Sequence, residues 1–383
     1  MDFEPTEDQN TIRATVRKFA ETKIKPLAHE LDEKEEFSPE LTRGMGEVGI
    51  FGLIVPEEYG GSGLDYSSYV IAVEELARVD GSQAATIAAG VSLGIAPLLY
   101  FGTEEQKKKY LPKLVTGENL FAFGLTEPEA GSDSRGSKTK AVQQKDGSWV
   151  IDGSKIFITN GSTDMTLGII VQAVTGKDEK GNPIFTCFIV DKGTPGFTAK
   201  TMHKKLMWRA SNTAELYFSG VKVPDSARLG PVGDGSKQML KTLDSGRLSI
   251  GAMGLGCAQG AYELALSYSK QRKQFGKPLS AFQATAFKLA DMAMKIEHAR
   301  WFLYRACWLR DQHKPFGTES AMAKLYCSEV AQQVANEAVQ IHGGYGLMKE
   351  FDVERFYRDQ RLLQIGEGTS EIQRLVISRA IGC

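Results

Sequence analysis

Histidine and cysteine are scarce in this 383-residue chain, and neither is arranged to hold a metal. The five histidines (His29, His203, His298, His313, His342) show none of the short spacings of a zinc site. The five cysteines (Cys187, Cys257, Cys307, Cys327, Cys383) are odd in number and never form a Cys-x-x-Cys pair. That excludes a disulfide framework and a thiolate metal site, and it fits a reducing, cytoplasmic compartment. Excess charge is missing too. A net charge of −1 gives no basic surface for nucleic acid or an anionic membrane. The cluster Lys107-Lys108-Lys109 reads as a solvated helix face. No uninterrupted apolar run reaches bilayer-spanning length, and Met1-Asp-Phe-Glu-Pro-Thr-Glu-Asp8 lacks the apolar core of a signal peptide. Repeats and low-complexity tracts are also absent. What remains is an ordinary globular composition, 42% hydrophobic and 24% charged, in a chain long enough for two or three domains.

Three stretches differ in pattern. Residues 5 to about 117 read as helical: Thr6-Glu-Asp-Gln9 opens the first helix with acidic residues, and Thr103-Glu-Glu-Gln106 opens another with capping-box spacing. Tyr66 to Ala77 is helical, as is Gly81 to Phe101, whose core Ala84 to Ala96 is small, apolar and uncharged. Between Phe121 and Leu229 short β-rich runs alternate with turn signals. They include Lys155 to Thr159, Gly168 to Val174, Phe185 to Val190 and Glu215 to Phe218, with Asp146-Gly147 and Asp152-Gly153 as turn dipeptides. A small antiparallel barrel or sandwich is expected. From about Gly235 the chain is helical again. Phe282, Ala286, Leu289, Met292, Ile296, Ala299, Leu303 and Ala306 mark one long amphipathic helix suited to a bundle. The fold class is α+β and mostly α, with an N-terminal helical domain (1–118), a middle β-domain (119–232) and a C-terminal helical bundle (233–383).

Two apparent motifs fail on context. Gly90-Val-Ser-Leu-Gly94 has nucleophile-elbow spacing but lies inside a helical segment instead of between strand and helix. Gly254-Leu-Gly-Cys-Ala-Gln-Gly260 has no preceding strand and misplaces its last glycine, so it reads as a helix–helix contact.

The informative residues are spread out. Glu367 stands between Gly366 and Gly368, before a helix that Ser370 and Gln373 mark with capping-box spacing. Bare backbone there would admit a ligand closely, although by itself the carboxylate could simply complement the helix dipole. Leu125-Thr-Glu-Pro-Glu-Ala-Gly-Ser-Asp133 offers amides and hydroxyls to a ring edge or a phosphate. Phe157-Ile-Thr-Asn160 sets an aromatic face beside a hydroxyl. Arg272-Lys-Gln-Phe-Gly-Lys-Pro278 closes a helix with groups that could grip a phosphate or stack on a base. Gln340-Ile-His-Gly-Gly344 has the small residues of a helix cap or of a ligand's bed.

In this order and spacing the five motifs resemble the acyl-CoA dehydrogenase family, over essentially the whole chain and most closely its short- and medium-chain, butyryl-CoA type members. The resemblance implies a C-terminal four-helix bundle, a homotetramer and non-covalent FAD shared with a neighbouring subunit. It implies that Phe123, Leu125, Thr126, Phe157, Ile158 and Thr159 line the isoalloxazine ring. Arg272, Phe275, Gln283, Gln340, Gly343 and Gly344 would reach the adjacent subunit's FAD, and Thr369 and Glu371 would contact the nucleotide portion of FAD. Ser132 would meet both flavin and substrate, and Asp244, Arg247 and Gly368 would contact the acyl-CoA. Glu367 would be the catalytic base and Arg247 its companion, with electron-transfer flavoprotein as acceptor. Some relatives carry the base near residue 246, which here is Gly246. Departures from the family pattern are Gly366 for a tyrosine, Phe157 for a tryptophan, and Met207-Trp208 where a glycine is frequent. The first implies room for branched, cyclic or aryl acyl groups. The arginine-free helix Ala84 to Ala96 argues against a dicarboxylyl substrate such as glutaryl-CoA. Two alternatives stay open: an enoyl-CoA reductase running the reverse reaction, and a non-catalytic flavin- or CoA-binding homologue.

Overall fold

Thr6 and Thr103 each open a helix, and for the same reason. The threonine hydroxyl accepts the N–H of the residue three on, while that residue's glutamine side chain accepts the threonine N–H. The structure is a computed structural model and describes residues 4–383; Met1, Asp2 and Phe3 of the acidic start lie outside them. Its N-terminal part holds α1 (Glu7–Phe19), α2 (Lys25–Lys34), α3 (Pro39–Glu47), α4 (Tyr66–Ala77), α5 (Gly81–Ala88), α6 (Ala96–Phe101) and α7 (Glu104–Val115). Widened π turns at Ala20–Ile24 and Ala89–Ile95 join α1 to α2 and α5 to α6. Each of them meets a proline, Pro26 or Pro97. Proline lacks the N–H that would continue an α ladder and crowds the carbonyl one turn back, and the wider turn accommodates both.

The strands are β1 (Leu120–Gly124), β2 (Lys140–Gln143), β3 (Trp149–Thr159), β4 (Thr166–Lys177), β5 (Pro183–Asp191), β6 (Phe197–Thr201), β7 (Thr213–Val223) and β8 (Arg228–Leu229). They form one sheet in the order β6-β7-β3-β2-β4-β5-β8, with β1 also on β4. The sheet is mixed and not wholly antiparallel, because β1 and β2 both run parallel to β4. Composition marks strands without fixing their direction, and the long loop between β1 and β2 lets both run the same way. Asp146-Gly147 makes its turn, with Gly147 at φ 82°. Asp152-Gly153 does not: it is a bulge inside β3, where a Cβ on Gly153 would lie 2.5 Å from Thr139 Oγ1.

The bundle contains α8 (Gly235–Gln271), α9 (Gln283–Asp311), α10 (Gly317–His342) and α12 (Ser370–Ala380). A short hairpin, β9 (Lys273–Gln274) and β10 (Lys277–Pro278), follows α8, and α11 (Val353–Asp359) precedes the Glu367 turn. Leu289, Met292, Ile296, Ala299, Leu303 and Ala306 are all buried, as the periodicity predicts. One apolar core runs from Val16 to Leu363, so the N-terminal helices and the bundle share an interior, while the sheet keeps its own. The glycines of the discarded fingerprint serve close packing: Gly254 meets the Cys327 backbone, Gly256 the Glu74 carbonyl and Gly260 the Arg78 carbonyl. Ser92 of the discarded elbow is buried and donates to Ala88 O. Gly81–Phe101 is long and apolar enough by composition to cross a membrane, yet 78% of its apolar window is buried inside the fold.

Candidate active site

The Glu367 turn is built from hydrogen bonds that leave its carboxylate loose. Ile365 and Gly366 N–H both donate to Leu362 O at 2.8 Å, ending the preceding turn of helix. Glu367 and Gly368 then take left-handed backbone, at φ 50° and 91°. The α12 cap is Thr369 and not Ser370: Thr369 Oγ1 accepts from Ile372 N at 3.3 Å, and Ser370 is already helical. Gln373 does not close a capping box. Its Nε2 donates to Gly368 O at 2.9 Å and Glu367 O at 3.3 Å, because the left-handed turn brings those carbonyls within reach.

Glu367 Oε2 is buried with no hydrogen-bond partner. Burial pushes the carboxyl up to about 7, against the pull of Lys324 and Arg247. Beneath it lies α8, where a Cβ on Gly246 would sit 2.0 Å from Oε2. A methyl group at 246 would therefore force the Glu367 carboxyl, the far end of a flexible side chain, to shift from this position. Arg247, next along α8, is buried and pairs with Asp244 through Nη1 at 2.7 Å, while its Nε has no partner. Glu367, Gly368, Asp244 and Arg247 thus form one cluster. Lys324 of α10 joins it, its Nζ on Gly368 O at 2.7 Å. The motifs did not point to Lys324, although it falls on the buried stripe Ser320, Lys324, Cys327, Ala331 of its own helix.

The residues that the resemblance assigns to the flavin ring gather where β1 and β3 end. Phe157 stands at φ 60° and 62% exposed, an aromatic face turned outward from the sheet. Thr126 O accepts from Ile156 N at 2.9 Å, which ties the two loops together, and Leu125, Thr126 and Thr159 are half-buried beside them. Phe123 and Ile158 point their side chains into the apolar cores, on strands paired with β4 and β7; Ser132 is exposed. A buried ion pair anchors this corner: Lys155 Nζ reaches Glu127 Oε1 at 2.8 Å and Leu125 O at 3.0 Å. Glu127 also accepts from the Lys138 and Thr139 amides. Removing one partner strands the other, so Glu127→Ala is expected to cost about 3–5 kcal/mol. Thermal denaturation and loss of bound flavin check that outcome.

At the opposite end of the bundle Arg272, Gly343 and Gly344 line one cleft, while Gln283 opens α9 and Gln340 lies in the last turn of α10, outside the cleft's lining. Arg272 and Arg247 share α8 and its C-cap, about 37 Å apart at the usual helical rise. Phe275, 93% exposed, projects from the β9–β10 hairpin with Gly276 beside it. A cleft of about 520 Å³ there is lined by Arg272, Gln274, Gly343, Gly344 and Tyr345. Thr369 is occupied in capping, and Glu371, two residues on in the first turn of α12, is exposed. Trp208, of the unexplained Met207-Trp208 pair, takes φ 46° and donates its N–H to buried Asp359 Oδ1 at 2.8 Å. Its indole lies against Gly81, so this residue fastens the sheet to helices on both sides.

Three domain families match the chain in order: acyl-CoA dehydrogenase N-terminal domain at residues 6–118, middle domain at 122–221 and C-terminal domain at 233–382. A probable acyl-CoA dehydrogenase of Bacillus subtilis is 51% identical over all of both chains. An acryloyl-CoA reductase (NADH) of Anaerotignum propionicum is 41% identical over 100% of this chain and 96% of its own. The solved butyryl-CoA dehydrogenase of Megasphaera elsdenii superposes with a TM-score of 0.96 at 46% identity, covering both chains fully. Fold and relatives together define a flavin-dependent oxidoreductase of acyl thioesters. The chain belongs to the acyl-CoA dehydrogenase family, whose members use FAD. The residues present suit that cofactor: an outward aromatic face at Phe157 beside the Thr126 loop, and a cleft carrying a guanidinium and bare glycines.

Proposed function

We propose that the protein catalyses α,β-dehydrogenation of a short- or medium-chain acyl-CoA, with Glu367 removing the α-proton. The observation that carries this reading is the buried, unpartnered Glu367 Oε2 with its pKa raised to about 7. A carboxyl poised there can accept a proton from carbon far better than an exposed one. Among the described residues the Glu367 N–H donates to no protein group, so it is free to meet the thioester oxygen as negative charge develops. FAD, when bound, supplies the acceptor for the β-hydrogen and its electron pair, and the product is the trans-2-enoyl-CoA. We assign Phe123, Leu125, Thr126, Phe157, Ile158 and Thr159 to the flavin ring, Ser132, Asp244, Arg247 and Gly368 to substrate, and electron-transfer flavoprotein to the reoxidation step.

The 37 Å or so between Arg247 and Arg272 is too long for one flavin, which supports a site shared between subunits of a homotetramer. Exposed Phe287, Met294 and Trp308, spaced by multiples of seven along α9, give such an assembly an apolar face. Solution mass by light scattering checks this. Four of the five cysteines are buried free thiols, in keeping with a cytoplasmic setting.

A Cβ on Gly366 would come nearest the flexible Leu362 side chain, at 3.3 Å, and meet the Leu362 carbonyl oxygen at an ordinary 3.6 Å, so the backbone does not demand glycine there. We take its smallness as room for a branched, cyclic or aryl acyl group. Gly366→Tyr is expected to shift the ratio of kcat/KM values toward straight chains by about tenfold or more; steady-state rates on both substrate types decide it. Dicarboxylyl groups are disfavoured, since Ala84 to Ala96 offers no cation.

The acid limb of flavin reduction should follow Glu367. Because the carboxylate form is the base, kcat/KM should rise with pH and level off above about 7. The acryloyl-CoA reductase relative favours one second reading, the reverse reduction of an enoyl-CoA. Reduction of enoyl-CoA by the protein with a reduced flavoprotein partner, faster than the forward rate, would select it. An ionisable carboxylate left unpaired in the interior argues against a non-catalytic homologue.

A further inference from the structure

One buried cation at the site has no part in the mechanism above. Lys324 lies wholly out of solvent, and its Nζ donates to the Gly368 carbonyl at 2.7 Å without forming an ion pair among the described residues. Gln373 Nε2 shares that carbonyl. Two successive left-handed residues, the first carrying a side chain, persist only where their surroundings fix them. A neutral donor would hold a carbonyl with less desolvation cost than an ammonium does. The charge of Lys324 therefore needs a second reason, and Glu367 supplies it. Burial pulls Lys324 down to about 8, and Glu367 is the foremost charge opposing that, ahead of Glu371 on α12. The other groups facing the carboxylate are Arg247 on α8, itself tied to Asp244, and Tyr69 on α4, which is buried and neutral.

We propose that Lys324 is the positioning residue for the base: its Nζ fixes the Gly368 carbonyl, and with it the turn that aims Glu367, while its charge keeps the desolvated carboxylate ionised. Arg247 also draws the carboxylate toward its ionised form, but it is paired with Asp244 and touches neither carbonyl of the turn, so it cannot fix the turn as Lys324 does. The inference rests on Glu367 acting as the base.

The test compares wild type, Lys324→Gln and Lys324→Met holoenzymes, each reduced anaerobically by butyryl-CoA across the pH range, with thermal denaturation in parallel. Glutamine keeps a donor without charge; methionine keeps neither. For Lys324→Gln the acid limb is expected to move up by about one pH unit, a roughly fivefold loss at pH 7 that approaches tenfold at lower pH and that alkaline pH restores. Lys324→Met should show the same shift and a further loss that no pH restores. Both should bind FAD and denature no earlier than wild type, since a buried charge has been removed. An unshifted acid limb in both variants overturns the proposal, as does a pH-independent loss accompanied by earlier denaturation and released flavin. A wild type that butyryl-CoA and a broader acyl-CoA panel fail to reduce overturns the base assignment itself, whereas a reducible wild type with unshifted variants overturns only the role of Lys324.

Discussion

Glu367→Gln is expected to remain yellow and folded while flavin reduction by acyl-CoA slows by about 10²–10⁴-fold. The amide is nearly isosteric with the carboxyl, so the Gly366 to Gly368 turn, its Leu362 contacts and its Gln373 bridges have no reason to move. What is lost is the only group at the turn able to accept a proton. A stability effect of opposite sign should accompany the loss. Burial raises the Glu367 carboxyl from 4.5 to about 7 in the folded protein. The folded state therefore holds this proton more tightly than the unfolded chain. Stability from that difference is complete below pH 4.5 and is lost as pH rises through about 7. Above that pH the glutamine variant should be the more stable protein, by on the order of 2–3 kcal/mol. Denaturant titrations of the two proteins on the alkaline side measure it. Full activity in the variant would remove Glu367 from the mechanism.

Gly246→Ala should disable the enzyme almost as completely while adding only a methyl group. The new Cβ would lie 2.0 Å from Glu367 Oε2, and the carboxylate has to swing away. Displacing a catalytic group by an ångström costs about a hundredfold in rate. Alanine is otherwise a better helix residue than glycine, and position 246 is well inside α8, so the helix itself gains. Loss of flavin reduction with retained FAD and an unchanged melting temperature is the expected signature. A fully active Gly246→Ala protein would mean that the carboxylate does not rest over α8.

The same residues explain how much could be read in advance. The α9 seam, the Thr6 and Thr103 caps and the Gly147 turn rest on local rules, and the structure follows them. Asp152-Gly153 carries the same local signal but does not turn, because pairing with β2 and β7 on either side overrides a two-residue preference. Strand direction in β1 and β2 was illegible for a similar reason, since both are set by β4, a later part of the chain. Ser370 and Thr369 are equally good caps by composition; the left-handed Glu367-Gly368 pair decides between them. Glu367 was legible through a resemblance spread over the whole chain and not through its own turn. Lys324 and Lys155 were missed because lysines are ordinarily assigned to the surface. Only the folded chain shows one of them behind a carbonyl of the base turn and the other on Glu127. By sequence Gly246 shows only that no second carboxylate stands on α8; the folded chain adds that its bare Cα leaves room for Glu367 Oε2.

The most direct measurement is anaerobic titration of the purified yellow protein with linear, branched, cyclic and aryl-substituted acyl-CoAs, following flavin absorbance. Bleaching by at least one short or medium acyl-CoA, with the matching trans-2-enoyl-CoA recovered and no bleaching in Glu367→Gln, is the predicted result. An oxidised spectrum that persists across the whole panel, or equal bleaching in the glutamine variant, would contradict the account.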